Sequence, residues 1–263
     1  MPHIQIETIT TCNAKCGFCP HPGLARDYNV MGMPLYRKII DEVATLPLIE
    51  YIYIVGLGET LLDPHLLDRA RYVRDKGMTN LIGIFTNGFL ATHARIDALY
   101  AAGISVIHFS LNANSAEEHE QVMGVRGLYG KVTAAVEYAL RTSGAGRLAQ
   151  PCAVGSAGFD AARFRKTWGP AAQVWREDNF AGGTGASTSP LPECDFPQTQ
   201  INVLWDGRVT TCCMDPTGKR VFGDLRTQTI REVFNSEPYT TFRYNHSIGK
   251  GKAESPCNLC SRL

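Results

Sequence analysis

The chain has 263 residues, 44% of them apolar, and its 26 basic against 25 acidic side chains leave a formal net charge of +1. That length accommodates one large domain, or a large and a small one, with a substantial core. The even mixture of charges argues against nucleic-acid or membrane-surface binding. No apolar run reaches the roughly 18 residues that a membrane span needs. The opening Met1-Pro-His-Ile-Gln-Ile-Glu7 lacks the basic start and apolar centre of an export signal, so a cytoplasmic location is expected. Nine cysteines without such a signal suit reduced thiols used as metal ligands better than a disulfide scaffold.

Along the chain, residues 3–9 alternate as a strand that ends just before a cysteine loop. Pro34 to Leu46 has helical spacing with proline near its start. Glu50 to Val55 predicts a strand, followed by the loop Gly56-Leu-Gly-Glu-Thr60. Asp63-Pro64 opens a helix to about Lys76, and Gly77 stops it. Leu81 to Phe85 is the next strand, with Thr86-Asn87-Gly88 after it. A helix near 92–102, a strand from Ile104 to Phe109, and helices near 115–123 and 128–142 follow. Pro151 to Val154 and Ala172 to Glu177 read as strands flanking a helix near 160–167. This is β then α, repeated about six times, which implies α/β architecture with a parallel sheet and outer helices. Six units fall short of a closed eight-stranded barrel, so an open, partial barrel is expected; a flat doubly wound sheet gives the same pattern.

Residues 181–192 are dominated by glycine, serine and proline and predict a linker. The expected division is therefore 1–180 for the barrel and 181–263 for a smaller C-terminal domain. In the latter, Gln200 to Leu204 and Arg208 to Cys212 flank Asp206-Gly207 as a hairpin, and a short helix lies near 229–235.

The chemistry is concentrated in cysteine. Cys12, Cys16 and Cys19 are separated by three and two residues, with no fourth cysteine nearby. Three thiolates so placed suit a [4Fe–4S] cube with one iron left open to an exchangeable ligand. Zinc, which usually takes four protein ligands, would need a distant fourth. A second set, Cys194, Cys212, Cys213, Cys257 and Cys260, occupies the tail. On ligand type alone, four of these fit either a zinc ribbon or a second [4Fe–4S] cluster. Cys152 reads as core.

The Cys-x3-Cys-x2-Cys run resembles the signature of the radical SAM superfamily. The tail resembles that family's twitch domain, the shortened form of the SPASM extension, in Cys194, Gly207 with Cys212, Gly223-Asp224-Leu225, the stretch Thr229 to Phe234 and Cys257-Asn-Leu-Cys260. Length and tail spacing resemble the aminocyclitol dehydrogenases of aminoglycoside biosynthesis. The resemblance implies a first cluster on Cys12, Cys16 and Cys19, with S-adenosylmethionine on its open iron, cleaved to a 5′-deoxyadenosyl radical. It implies a second [4Fe–4S] cluster on Cys194, Cys212, Cys257 and Cys260, and a one-electron donor such as flavodoxin or ferredoxin.

For S-adenosylmethionine it implies Phe18 near the adenine, Gly56 and Gly58 beside the ligand, and Glu59 accepting from the methionine amino group. Asn87 ends the third strand, Ser110 and Asn112 would bond ribose or carboxylate, and Arg126 would pair with the carboxylate. His21 is read as a local hydrogen-bonding residue only. Arg176, Glu177 and Asp178 end the sixth strand, where they would meet substrate or be plain surface charges. The expected reaction is hydrogen-atom abstraction from a small polar aminocyclitol or sugar, oxidised with help from the second cluster. With Cys213 as a thiol hydrogen donor, the alternative is an epimerase or isomerase acting on a sugar, nucleoside or peptide. The non-enzyme alternative is a zinc-stapled binding protein.

Overall fold

The computed structural model describes residues 3–23, 27–144, 146–185 and 194–262. Six β–α units come first. They comprise β1 (His3–Ile6), α1 (Met33–Val43), β2 (Tyr51–Ile54), α2 (Leu66–Asp75), β3 (Leu81–Thr86), α3 (His93–Ala101), β4 (Val106–Ser110), α4 (Ala116–Met123), α5 (Tyr129–Arg141), β5 (Leu148–Gly155), α6 (Ala161–Trp168) and β6 (Gln173–Arg176). The C-terminal part adds α7 (Phe196–Thr199), β7 (Gln200–Val203), β8 (Arg208–Thr210), β9 (Val221–Asp224), α8 (Ile230–Phe234) and α9 (Glu237–Ser247). All nine strands form one open sheet in the order β6-β5-β4-β3-β2-β1-β7-β8-β9.

Strands β1 to β6 are parallel to their neighbours. The hairpin expected in the tail does form, but its first strand, β7, pairs parallel with β1, His3 facing Gln200. The C-terminal part thus extends the barrel sheet, and β8 and β9 then run antiparallel. β9, α7 and α9 were absent from the expected elements. Most of the linker predicted over 181–192 lies outside the described residues.

The strands place alternate side chains on opposite faces. One face carries Ile4, Ile6, Ile52, Ile54, Ile82, Ile84, Ile107 and Phe109, all fully buried and continuous with Tyr36, Ile40, Val73, Ile96 and Val136 of the helices. Each such side chain contributes on the order of 1.5–3 kcal/mol when taken from water. The opposite face carries His3, Gln5, Tyr51, Tyr53, Phe85, His108 and Cys152, a mixture of aromatic and polar groups outside that core. Parallel sheets covered on both faces read as near-continuous apolar runs; this one alternates, so the helix-free face is a surface for something else.

A fully buried ion pair fixes the turn after β2. Arg69 Nε donates to Asp63 Oδ2 at 2.7 Å, both side chains are 0% exposed, and Nη2 reaches the Met31 carbonyl. Among the described residues, no helix is long and apolar enough to cross a membrane.

Candidate active site

The cysteine loop leaves β1 and is pinned from both sides. Lys15 N donates to the Met123 carbonyl at 2.9 Å and Gly17 N to the Val122 carbonyl at 3.0 Å, at the end of α4. Gly124 ends α4 in the left-handed region (φ 66°), where a Cβ would lie 2.7 Å from the Lys15 carbonyl oxygen. Glycine is the residue that meets both demands. On the other side, Glu59 N donates to the Thr11 carbonyl at 2.9 Å. His21 Nε2 lies 2.7 Å from the Thr10 carbonyl oxygen, the local role expected of it.

Cys12, Cys16 and Cys19 are half-buried and close enough to perturb one another. Burial pushes the Cys16 thiol up to about 12, with Cys19 and Cys12 adding to it. Burial likewise raises Cys19 to about 11 and raises Cys12. A thiolate persists in such a place only beside strong positive charge. Among the described residues, no three His, Cys, Asp or Glu side chains converge closely enough to hold a single metal ion. The donor set of the cysteine loop is all sulfur and mutually coupled, which fits an iron–sulfur cluster.

Glu59, after β2, faces these thiols and raises Cys12 and Cys16 by its charge. It is itself 3% exposed, and burial raises its carboxyl above the usual range. Oε1 accepts from Leu61 N (2.9 Å) and Thr86 Oγ1 (2.6 Å), and Oε2 from Asn87 N (2.7 Å). A carboxylate offers about four acceptor positions, so Oε2 retains one for a ligand's ammonium group. Asn87 Nδ2 donates to Asn13 Oδ1 at 2.7 Å, and its side chain reaches Cys12.

Other expected contacts are occupied by the chain itself. A Cβ at Gly58 would fall 2.2 Å from the Ile9 carbonyl oxygen, and one at Gly56 would fall 2.3 Å from Glu7 Cγ. The close approach at both glycines is therefore to residues 7–10, just after β1. Asn112 is in the left-handed region (φ 56°); its Oδ1 accepts from Val154 N at 2.9 Å and its Nδ2 lies 3.3 Å from Met123 Sδ. Met123 Sδ in turn lies 3.6 Å from Cys16 Sγ. The Asn112 side chain thus supports the cluster loop from behind. Ser110 and Phe18 are half-buried, and Arg126 is exposed without a hydrogen bond among the described residues.

In the tail, burial raises Cys212, with Cys213, Cys257 and Cys194 adding to it, and burial raises Cys257, with Cys260 and Cys194 adding to it. The tail sulfurs are thus brought together from dispersed positions. Cys213 is adjacent in sequence and also raises Cys212, while its own surroundings include Arg262 and Asp178. Burial pushes Cys213 up to about 12, opposed by the Arg262 charge and by Gln200, and Asp178 adds to the rise.

Arg176 and Asp178, read as substrate contacts or plain surface charges, bond to residues 261 and 262. Arg176 Nη2 donates to the Ser261 carbonyl at 2.9 Å and Nε lies 3.0 Å from Asp178 Oδ1. Arg262 Nη1 donates to Asp178 Oδ2 at 2.7 Å. Asn179 and Ser261 exchange two bonds, Asn179 N to Ser261 Oγ (2.9 Å) and Ser261 N to Asn179 Oδ1 (2.8 Å). The end of β6 thereby positions Cys260. Partners more than 80 residues away are invisible to local sequence reading. Glu177 is half-buried and outside this clamp.

A model of the radical SAM superfamily matches residues 6–144, more than half of the chain. The chain belongs to the radical SAM superfamily. It is accordingly an enzyme whose cofactors are S-adenosylmethionine and iron–sulfur clusters. A model of the iron–sulfur cluster-binding domain SPASM matches residues 194–261. Over 99% of its length this radical SAM enzyme is 23% identical to a tungsten-containing aldehyde ferredoxin oxidoreductase cofactor-modifying protein of Pyrococcus furiosus, covering 87% of it. Over 99% it is also 22% identical to the S-adenosyl-L-methionine-dependent 2-deoxy-scyllo-inosamine dehydrogenase of Niallia circulans, covering 92%. The crystal structure of BtrN in complex with AdoMet and 2-DOIA superposes over 100% of the chain and 94% of its own, with TM-score 0.75 at 19% identity, a likeness of fold.

The aromatic and polar residues of the helix-free face, Tyr53, Phe85, His108 and Trp175, escaped the sequence reading. The signal was present: alternation in Tyr51-Ile-Tyr-Ile54, Leu81-Ile-Gly-Ile-Phe85 and Val106-Ile-His-Phe109 sorts them onto one side.

Proposed function

We propose that this radical SAM enzyme oxidises a secondary hydroxyl of an aminocyclitol or related small polyol to a ketone. The observation that carries the reading is the full-length match to the 2-deoxy-scyllo-inosamine dehydrogenase, which spans both cysteine sets and 92% of that protein. Bound S-adenosylmethionine would supply a radical that removes the carbon-bound hydrogen atom, the hydroxyl proton would pass to solvent, and an auxiliary cluster would accept the remaining electron.

The residues of this chain take the following tasks. Cys12, Cys16 and Cys19 hold the first cluster. Cys194, Cys212, Cys257 and Cys260 hold the second. Glu59, through the free position on Oε2, orients the ammonium of the ligand, while Asn87 braces the loop at Asn13. The barrel and auxiliary parts divide near residue 180, and a small one-electron donor such as flavodoxin or ferredoxin serves as reductant. The helix-free face of β2 to β6 takes the substrate, whose hydroxyls and ring hydrogens suit its mixture of polar and aromatic side chains.

The test is anaerobic reconstitution, reduction with dithionite and addition of S-adenosylmethionine with 2-deoxy-scyllo-inosamine. The expected products are 5′-deoxyadenosine and the ketone in equal amounts. Solvent deuterium on carbon without ketone would replace oxidation by epimerisation. A reduced, iron-loaded sample that releases no 5′-deoxyadenosine under any condition would overturn the assignment of the first cysteine set.

A further inference from the structure

His108 stands at the centre of the helix-free face. Its ring stacks on Phe85 (centroids 4.2 Å apart, planes 9° apart) and is flanked by Tyr53 at 6.0 Å and Trp175 at 6.2 Å. The residue is 6% exposed. Two neighbours decide its tautomer. The Cys152 thiol donates to the Gln150 carbonyl at 3.2 Å, so its proton is committed. The same sulfur lies 3.9 Å from His108 Nδ1 and has only lone pairs left to offer it. This pattern favours the proton on Nδ1 and leaves Nε2 as the acceptor. Nε2 is buried and has no hydrogen-bond partner among the described residues. An unmet buried acceptor costs on the order of 1–3 kcal/mol, and its retention calls for an explanation.

We infer that His108 Nε2 is the acceptor for a substrate hydroxyl, with Cys152 as the positioning residue that holds the ring in the accepting tautomer. The inference rests on the polyol-oxidation reading above. Tyr53, Phe85 and Trp175 then cover the apolar face of the substrate ring around that single directional contact. Trp175 lies on the edge strand β6 and is 39% exposed, so its side chain is the cover that turns aside without disturbing the core. Gly83 is part of the same design, since a Cβ there would meet the Tyr53 ring at 2.5 Å. The titratable neighbours of the ring are Tyr53 and Cys152, both raised by burial and neutral at pH 7. Burial lowers His108 itself to about 4. The acceptor is therefore uncharged across the neutral range, and it selects a donor hydroxyl without attracting a carboxylate.

Two arms test this on the anaerobic holoenzyme. The first needs no substrate: nitrogen-15 NMR of histidine-labelled protein, with His108 assigned by its loss in His108→Phe. A neutral Nδ1–H tautomer is expected from pH 6 to 8, shifting toward Nε2–H in Cys152→Ala. An Nε2–H tautomer or a charged ring in the wild type overturns the inference, whatever the substrate proves to be. The second arm is calorimetric binding of 2-deoxy-scyllo-inosamine and of its analogue lacking the oxidised hydroxyl. His108→Phe is expected to bind the first compound about tenfold more weakly, the worth of one net hydrogen bond. His108→Gln, with a carbonyl at the Nε2 position, should recover most of that loss, and the analogue should bind wild type and His108→Phe alike. Equal weakening for both compounds would make His108 merely structural. Wild-type enzyme that binds neither compound rejects the aminocyclitol reading, while the tautomer arm still decides the accepting state of the ring.

Discussion

Glu59→Gln separates ligand binding from simple packing. The carboxylate accepts three hydrogen bonds, two of them from backbone N–H groups of Leu61 and Asn87. The amide has one oxygen. If its NH2 takes the Oε1 position, Leu61 N loses its partner; if it takes the Oε2 position, Asn87 N does. Either orientation orphans one buried backbone donor, a loss of about 1–3 kcal/mol from a total stability on the order of 5–15 kcal/mol. The charge and the spare acceptor position also vanish. Removing one partner of a buried ammonium–carboxylate contact costs about 2 kcal/mol or more, equivalent to at least about thirtyfold in S-adenosylmethionine affinity. Urea denaturation of the anaerobic protein measures the first effect and calorimetric titration of S-adenosylmethionine the second. Unchanged affinity with the expected loss of stability would refute the ligand role and leave Glu59 as a purely structural cap. Stability within about 0.5 kcal/mol of wild type would refute the hydrogen-bond accounting itself.

Three further outcomes are expected. Cys212→Ala should lower the iron content by roughly four atoms per chain, whereas Cys213→Ala, whose thiol faces Arg262 and Gln200, should retain it; equal loss in both would reassign the ligand. The His108 pKa falls from 6.5 to about 4 on folding, so the unfolded chain takes up the proton first. Its stabilising contribution, about 3 kcal/mol, is complete above pH 6.5 and is lost as pH falls toward about 4. His119 and His246 shift the same way, so the contrast between wild type and His108→Phe in urea midpoints at pH 7 and 4.5 is the measure. Asp63→Ala should destabilise by about 3–5 kcal/mol by leaving the Arg69 guanidinium buried and unpaired, while the double change Asp63→Leu with Arg69→Met should cost far less; thermal unfolding followed by circular dichroism distinguishes them.

Much of the barrel was legible because its signals are local. Isoleucine at every second position in β1, β2 and β3 marks one covered face, and helices begin at Pro34, Ser115 and Thr229 with ordinary start signals. The spacing of Cys12, Cys16 and Cys19 is likewise a local pattern. α9 escaped notice because few apolar side chains mark its face. β9 is a four-residue strand carrying Gly223 and was read only as part of a turn motif.

The sequence alone determined the alternation of strands and helices, the two sets of thiols and the kind of ligand they suit, because these depend on residue type and short spacing. Tertiary structure alone decided that β7 joins β1, that Arg176 and Asp178 bind residues 261 and 262, that Cys194, Cys212 and Cys257 come close enough to perturb one another, and that His108 and Cys152 meet. Each of these depends on partners brought together by the sheet across dozens of residues, where no local periodicity reports who the neighbour is.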